Sequence, residues 1–153
     1  MAHFAQIDEN NVVTRVLTCD NSVLNNDGTE DENLGKQYLA NIHGGTQDSW
    51  IQTSYNTISN QHRNGKTPFR GNYASVGGTW DSTNQIFLPV KPFPSFIVDL
   101  SISDWIAPIE RPTLTPEQQA QNDAGTHNWG YNWSEEEHQK DNTQGFILSD
   151  LLA

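Results

Sequence analysis

Between Gly77 and Pro108 the chain states nearly the same phrase twice, and a short repeat of this kind leaves few folds open. Trp80-Asp81 leads into the polar run Ser82-Thr83-Asn84-Gln85, then Phe87 and Pro89. Val98-Asp99 leads into a run of the same length, then Trp105 and Pro108. Laid one on the other, Asp81 falls on Asp99 and Phe87 on Trp105. The polar middles have the composition of tight turns, and the flanks are aromatic and β-branched, as strands are. Each phrase therefore predicts an antiparallel β-hairpin with an aromatic or branched cross-strand pair, turning at about Ser82–Asn84 and Leu100–Ser103. Pro89-Val90-Lys91-Pro92-Phe93-Pro94 joins them as a stiff, extended connector, because proline fixes φ and removes an amide donor. Tyr131-Asn132-Trp133-Ser134 opens like a third copy, but no aromatic follows at the matching distance.

The rest of the chain arranges itself around this repeat. Phe4 and Ile7, then Val12, Val13, Val16 and Leu17, flank Asp8-Glu9-Asn10-Asn11, a strand–turn–strand signal. Thr29-Glu30-Asp31-Glu32 has capping-box spacing, Leu34, Tyr38 and Ile42 recur as one narrow stripe, and Gly44-Gly45 supplies a stop. This predicts a short helix packed across the first hairpin. Trp50 to Tyr55 reads as a strand, Asn56 to Thr67 as a loop, and Phe69 to Val76 as a further strand broken by Gly71. Beyond Pro112 the texture turns polar. Thr115-Pro116-Glu117-Gln118 again has capping-box spacing, with proline at the first helical position, and predicts a polar helix to about Asp123. The expected class is mainly β (β-rich α+β): consecutive hairpins, one short helix on the first of them, and an extended C-terminal arm. The compact part is expected over residues 1–110, with the hairpin repeats at about 77–108, and the arm over 111–153.

A chain of 153 residues is the size of one ordinary domain, but only 34% of it is hydrophobic, so the core must be modest. The net charge of −11 argues against binding a nucleic-acid backbone, which needs clustered Lys and Arg, and equally against anionic membranes. Cys19 stands alone in an apolar run, so no internal disulfide is expected and the thiol reads as a small core residue. Met1-Ala2-His3-Phe4 lacks the basic start and apolar core of a signal peptide. No apolar run approaches the roughly 20 residues of a membrane span. The expectation is a protein made in the cytoplasm and kept there or released by lysis.

Reactive motifs are absent or incomplete. Gly65-Lys66-Thr67 resembles the end of a phosphate-binding loop, but Asn60 stands where the first glycine belongs and Pro68 where the helix should begin. Asp20 to Glu32 is rich in oxygen donors. Aligning an EF-hand glycine on Gly28 puts Val23 at the first ligand position, leaving a solvated acidic loop or an irregular calcium site. His3, His43, His62, His127 and His138 lack metal-ligand spacing. No nucleophile-elbow sequence singles out a serine. No catalytic residue, cofactor or metal ligand is assigned, and the chain is read as a non-enzyme.

Two stretches read instead as contact surface. Trp129, Tyr131 and Trp133, beside Asn128 and Asn132, either stack on sugar rings or pack on a hairpin or a neighbouring subunit. Phe146, Ile147, Leu148, Leu151 and Leu152 gather five apolar residues after a long polar stretch. Ile147 with Leu151, and Leu148 with Leu152, have the i, i+4 spacing of a short helical stripe. Such a segment needs something to lie against, either its own body or a neighbouring subunit. These eight residues are the candidate partner-binding set.

Several phrases together resemble a small virion-associated structural protein of marine tailed bacteriophages, cyanophages especially. They are Met1-Ala2-His3-Phe4-Ala5 leading to Ile7-Asp8-Glu9-Asn10-Asn11-Val12-Val13, Trp50 through Asn56, Trp80-Asp81, Phe87, Pro89 through Ser95, and Asp104-Trp105 with Ala107-Pro108. They keep their order over roughly the first two-thirds of the chain. Asn56 to Arg70 is longer and more polar than in that family, Phe96 replaces its usual Trp, and Pro112 to Ala153 has no counterpart. The resemblance implies a phage-encoded virion protein made in the host cytoplasm. One functional class is structural: a decoration (cement) protein on the capsid exterior, or a small tail or baseplate part. It would touch the major capsid protein or other virion subunits and self-associate in the particle. The other is a binding module, a tail or baseplate component presenting aromatic hairpins to a host glycan. Neither class involves nucleic acid or membrane.

Overall fold

The computed structural model describes all residues from Met1 to Ala153. Strand outweighs helix, 31% against 22%, in several antiparallel hairpins and three short α-helices, so the mainly β class holds. The chain forms two compact units, residues 1–91 with 98–105, and residues 92–97 with 106–153. The segment read as an extended arm thus belongs to a unit with secondary structure of its own.

In the first unit, β1 (Ala2–Ile7) and β2 (Val13–Cys19) form the expected hairpin. Asp8 turns it, its carboxylate accepting from the amides of Asn10 and Val12, both at 2.9 Å. β3 (Trp50–Thr53) pairs antiparallel with the other side of β1, giving the order β2-β1-β3. Strand alternation sends Ala2 and Phe4 to one face with Cys19, Leu24, Leu39 and Trp50. It sends Ala5 to the other, with Val13, Ile51, Ala74, Trp80 and Phe87. Both faces of this small sheet are therefore covered, one by helix and one by hairpin. Cys19 is buried, as expected.

Helix α1 (Glu32–His43) lies on the first face and stops at Gly44, where φ is 84°. Two details differ from expectation. The N-cap is Asp31, whose side chain accepts from the Asn33 amide, because Thr29-Glu30 is held in a two-residue ladder with Asn25-Asn26. The buried line is Gly35 and Leu39, while Tyr38 and Ile42 stand 42% and 56% exposed. A Cβ on Gly35 would strike the Phe4 ring and approach Leu24, so the smallest residue, not the largest, sets the helix–sheet contact.

Between β3 and the repeat, Thr57–Ile58 and Gln61–His62 form a minimal ladder within the expected loop. Phe69 to Val76 is not a strand. Arg70 (φ 54°) and Gly71 (φ 73°) are both left-handed, which no extended run survives. Asn72 holds the irregular backbone instead. Its Nδ2 donates to the carbonyls of Phe87 (2.8 Å) and Ser103 (2.7 Å), and its Oδ1 accepts from the Ser59 amide (2.7 Å).

The repeat is two hairpins. β4 (Thr79–Asp81) pairs with β5 (Ile86–Leu88), placing Trp80 opposite Phe87 with ring centroids 4.7 Å apart. β6 (Ile97–Asp99) pairs with β7 (Asp104–Ile106). The match reaches the turn chemistry. Asp81 accepts from the Asn84 side chain and from the amides of Asn84 and Thr83, Asp99 from the hydroxyl and amide of Ser101, and these bonds hold both carboxyls below the ordinary range. Gln85 and Ser103, at matching positions, are both left-handed, with φ 56° and 50°. The aromatics differ: Phe87 is core, whereas Trp105 is half-buried, its indole donating to the Pro89 carbonyl at 2.8 Å.

In the second unit, α2 (Pro116–Asp123) has the full capping box expected of Thr115 and Gln118. β8 (Trp129–Trp133) and β9 (Phe146–Asp150) form an antiparallel hairpin around α3 (Glu135–Lys140). The helical stripe expected of Ile147/Leu151 and Leu148/Leu152 is overturned: Phe146 to Asp150 is a strand. A turn or two of helix is marginal in water, whereas β8 offers this segment a complete ladder. None of this unit's apolar side chains is fully buried.

Two substitutions test these packing arguments. Gly35→Ala should destabilise the protein by about 1–3 kcal/mol through overpacking against Phe4. Ser103 is buried, left-handed, and its hydroxyl meets no partner. Ser103→Gly should therefore stabilise by roughly 0.5–1 kcal/mol. Urea denaturation measures both, and a loss of stability for Ser103→Gly would contradict the assigned strain.

Candidate partner-binding surface

The two stretches singled out as contact surface, twelve residues apart, meet in one ladder. β8 and β9 pair Trp129 with Asp150, Tyr131 with Leu148, and Trp133 with Phe146. Period two puts the three β8 aromatics on one face, with Phe146 and Leu148 across from them. Ile147 points to the other face and is 48% exposed. Leu151 and Leu152 lie just past the strand, 65% and 63% exposed.

The aromatic residues serve the hairpin before any partner. The Trp129 indole donates to Gln121 Oε1 (2.6 Å), its ring stacks on His127 at 5.4 Å, and its backbone is held by Asn122. Trp133 sits at the centre of a cluster with Phe96, Phe146 and His138, at ring separations of 5.4, 5.1 and 4.9 Å. Gly145 permits this approach, since a Cβ there would collide with the Trp133 ring. Glu135 ties the cluster together: one carboxylate oxygen accepts from the Ser95 hydroxyl (2.6 Å) and the Trp133 indole (3.0 Å), the other from Gln139 (2.8 Å). Those bonds, Ser95 first, hold its carboxyl down to about 2. The candidate set thus divides. Trp129, Trp133 and Phe146 are framework, Tyr131 and Leu148 are half-buried, and Ile147, Leu151 and Leu152 face outward. Helix α3 was missed by sequence reading, although Ser134 with Glu137 three residues on is a capping spacing and acids precede Lys140.

The first unit holds a separate open cleft of about 910 Å³ at the free edge of β3, with His3, Tyr55 and Thr67 on its walls. An ion pair, Glu32 with Arg70, also lines it. Arg70 donates from Nη1 and Nη2 to the two Glu32 oxygens, both at 2.8 Å, and again from Nη1 to the Gln52 carbonyl at 2.8 Å. Glu32 in turn accepts the Gln52 amide at 2.9 Å. The guanidinium also lies over the rings of Phe69 (4.9 Å) and Trp80 (5.3 Å). Burial alone would raise the Glu32 carboxyl. The bonds from Arg70 and Gln52 and the charges of Arg70 and Lys36 outweigh it, so the net shift is downward. His3 is pushed down by burial and the N-terminal charge, and meets the Tyr73 hydroxyl at 3.1 Å. No group of three or more His, Cys, Asp or Glu side chains is placed to hold a metal ion, and no helix is long and apolar enough to cross a membrane. Only capping spacing drew attention to Glu32 in the sequence, and nothing there paired it with Arg70.

A lowered folded-state carboxyl contributes stability that is complete above its unfolded value and is lost as pH falls through the folded one. Glu32 should therefore contribute fully above about pH 4.3 and progressively less below. Glu32→Gln should cost roughly 2–3 kcal/mol at neutral pH, because Arg70 loses its charged acceptor. It should also flatten the acid limb of the stability profile. An unchanged acid limb in urea melts would contradict the assignment.

No protein-family model, curated protein or solved structure matches the chain.

Proposed function

We propose that this protein is a structural component of a phage virion, a decoration (cement) protein on the capsid exterior acting through protein–protein contacts. The observation that carries the reading is the outward apolar group of Ile147, Leu151 and Leu152, on a unit with no fully buried apolar side chain. Three exposed apolar side chains within six residues, at the end of a polar stretch, are the features of a candidate association site. The net charge of −11 turns the rest of the exterior away from nucleic acid and keeps it soluble. The ordered resemblance of the first two-thirds of the chain to marine phage virion proteins supports the same reading. The partners are the major capsid protein or other virion subunits, with copies of the chain repeated in the particle.

Quantitative mass spectrometry of density-banded particles tests this, with the expected copy number stoichiometric to the major capsid protein. A few copies per particle would favour a tail or baseplate part that presents its aromatics to a host glycan. Absence from particles would overturn the virion reading. Leu151→Ser with Leu152→Ser should change stability by no more than about 0.5 kcal/mol, since both side chains are exposed, yet should abolish incorporation. Normal incorporation of that variant would remove the two leucines from the interface.

A further inference from the structure

We propose that the outer edge of β9 accepts an added β-strand from a basic partner segment, so that attachment is made by main-chain pairing as well as by apolar contact; this rests on the assembly role above. The ladder's phase carries the argument. Ser134 N–H donates to the Gly145 carbonyl and Leu151 N–H to the Asn128 carbonyl. With the register Gly130–Ser149 and Asn132–Ile147, those bonds make the even-numbered β8 residues the bonded pairs. The amides and carbonyls of Trp129, Tyr131 and Trp133 therefore point away from β9, and those of Phe146 and Leu148 point away from β8.

The two outer edges are finished differently. On β8, Asn122 both accepts from the Trp129 amide (2.7 Å) and donates to its carbonyl (2.9 Å), and Arg111 donates to the Tyr131 carbonyl (2.9 Å). On β9, no group of the same unit meets the amides or carbonyls of Phe146 and Leu148. Proteins ordinarily block a strand edge of this kind, and one left open is a template for another strand. An incoming strand would set side chains beside Phe146 and Leu148 on one face and beside Ile147 on the other.

Charge selects the occupant. This unit carries eight acidic and two basic side chains. Both bases are engaged, Lys140 with Glu136 and Glu137 at 2.8 Å, and Arg111 with Tyr131. A second copy would bring the same negative charge to the edge. A segment with apolar residues at alternate positions and Lys or Arg between them complements it.

The test is titration of the ¹⁵N-labelled full-length protein with an alternating Lys-Val octapeptide and with its Glu-Val counterpart, followed by amide shifts and exchange. The Phe146 and Leu148 amides should shift and gain protection. Those of Ile147 and Ser149, already bonded inside the hairpin, should change little. The Lys-Val peptide should bind at least about tenfold more tightly than the Glu-Val one. Leu148→Pro removes an outward amide and should abolish the response while preserving the tryptophan near-ultraviolet signal. If that variant loses its fold, a Lys-Val peptide N-methylated at alternate residues takes its place and should fail to bind. Equal binding of both charge types, shifts confined to other segments, or undiminished binding of the methylated peptide would each overturn the proposal. Loss of strand addition in a protein still present in particles would sink this inference alone.

Discussion

The pairing of Glu32 with Arg70 is the contact on which the first unit depends, because each partner solves a different backbone problem. Glu32 opens α1, and its carboxylate accepts the Gln52 amide at the edge of the sheet. Arg70 supplies the matching donor to the Gln52 carbonyl. Two side chains thus occupy the place of a fourth strand, closing an edge that would otherwise be unpaired. The same guanidinium lies over Trp80 of the repeat. One ion pair therefore connects helix, sheet edge, irregular loop and hairpin.

What could be read from the sequence follows the range of the interactions involved. The two hairpins, the first strand pair, the Gly44 stop and the α2 capping box rest on residues within a few positions of one another, and all are present. Asp81 and Asp99 announced their turns because an aspartate bonding two residues ahead is wholly local. The capping spacing that marks Glu32 is equally local, but its carboxylate reaches Arg70 across the chain. The buried line of α1 was missed because counting large apolar residues favours Tyr38 and Ile42, whereas contact with Phe4 requires Gly35. In β9 local spacing suggested helix, and the ladder with β8, which spacing within the segment cannot reveal, decided strand.

The second unit is assembled by different means from the first. Where the sheet of residues 1–53 has apolar cores on both faces, this hairpin combines one half-buried aromatic cluster with polar side chains acting on backbone and rings. Asn122, Gln121, Arg111 and Glu135 each fix one element of it. Such bonds are directional and specify a single arrangement, but individually contribute only about 0.5–1.5 kcal/mol, or somewhat more when charged. A unit built this way rests little of its stability on apolar burial.

The bonds of Asn72 have a kinetic meaning. Its side chain joins the carbonyl of Phe87 in one repeat to that of Ser103 in the other, and also holds Ser59. Each hairpin closes over a short stretch and can form within about 1–10 μs, independently of the other. The Asn72 bonds span 15 and 31 residues, so they close longer loops than either hairpin does. The two hairpins are local and alike, and the one amide that bonds to both is neither.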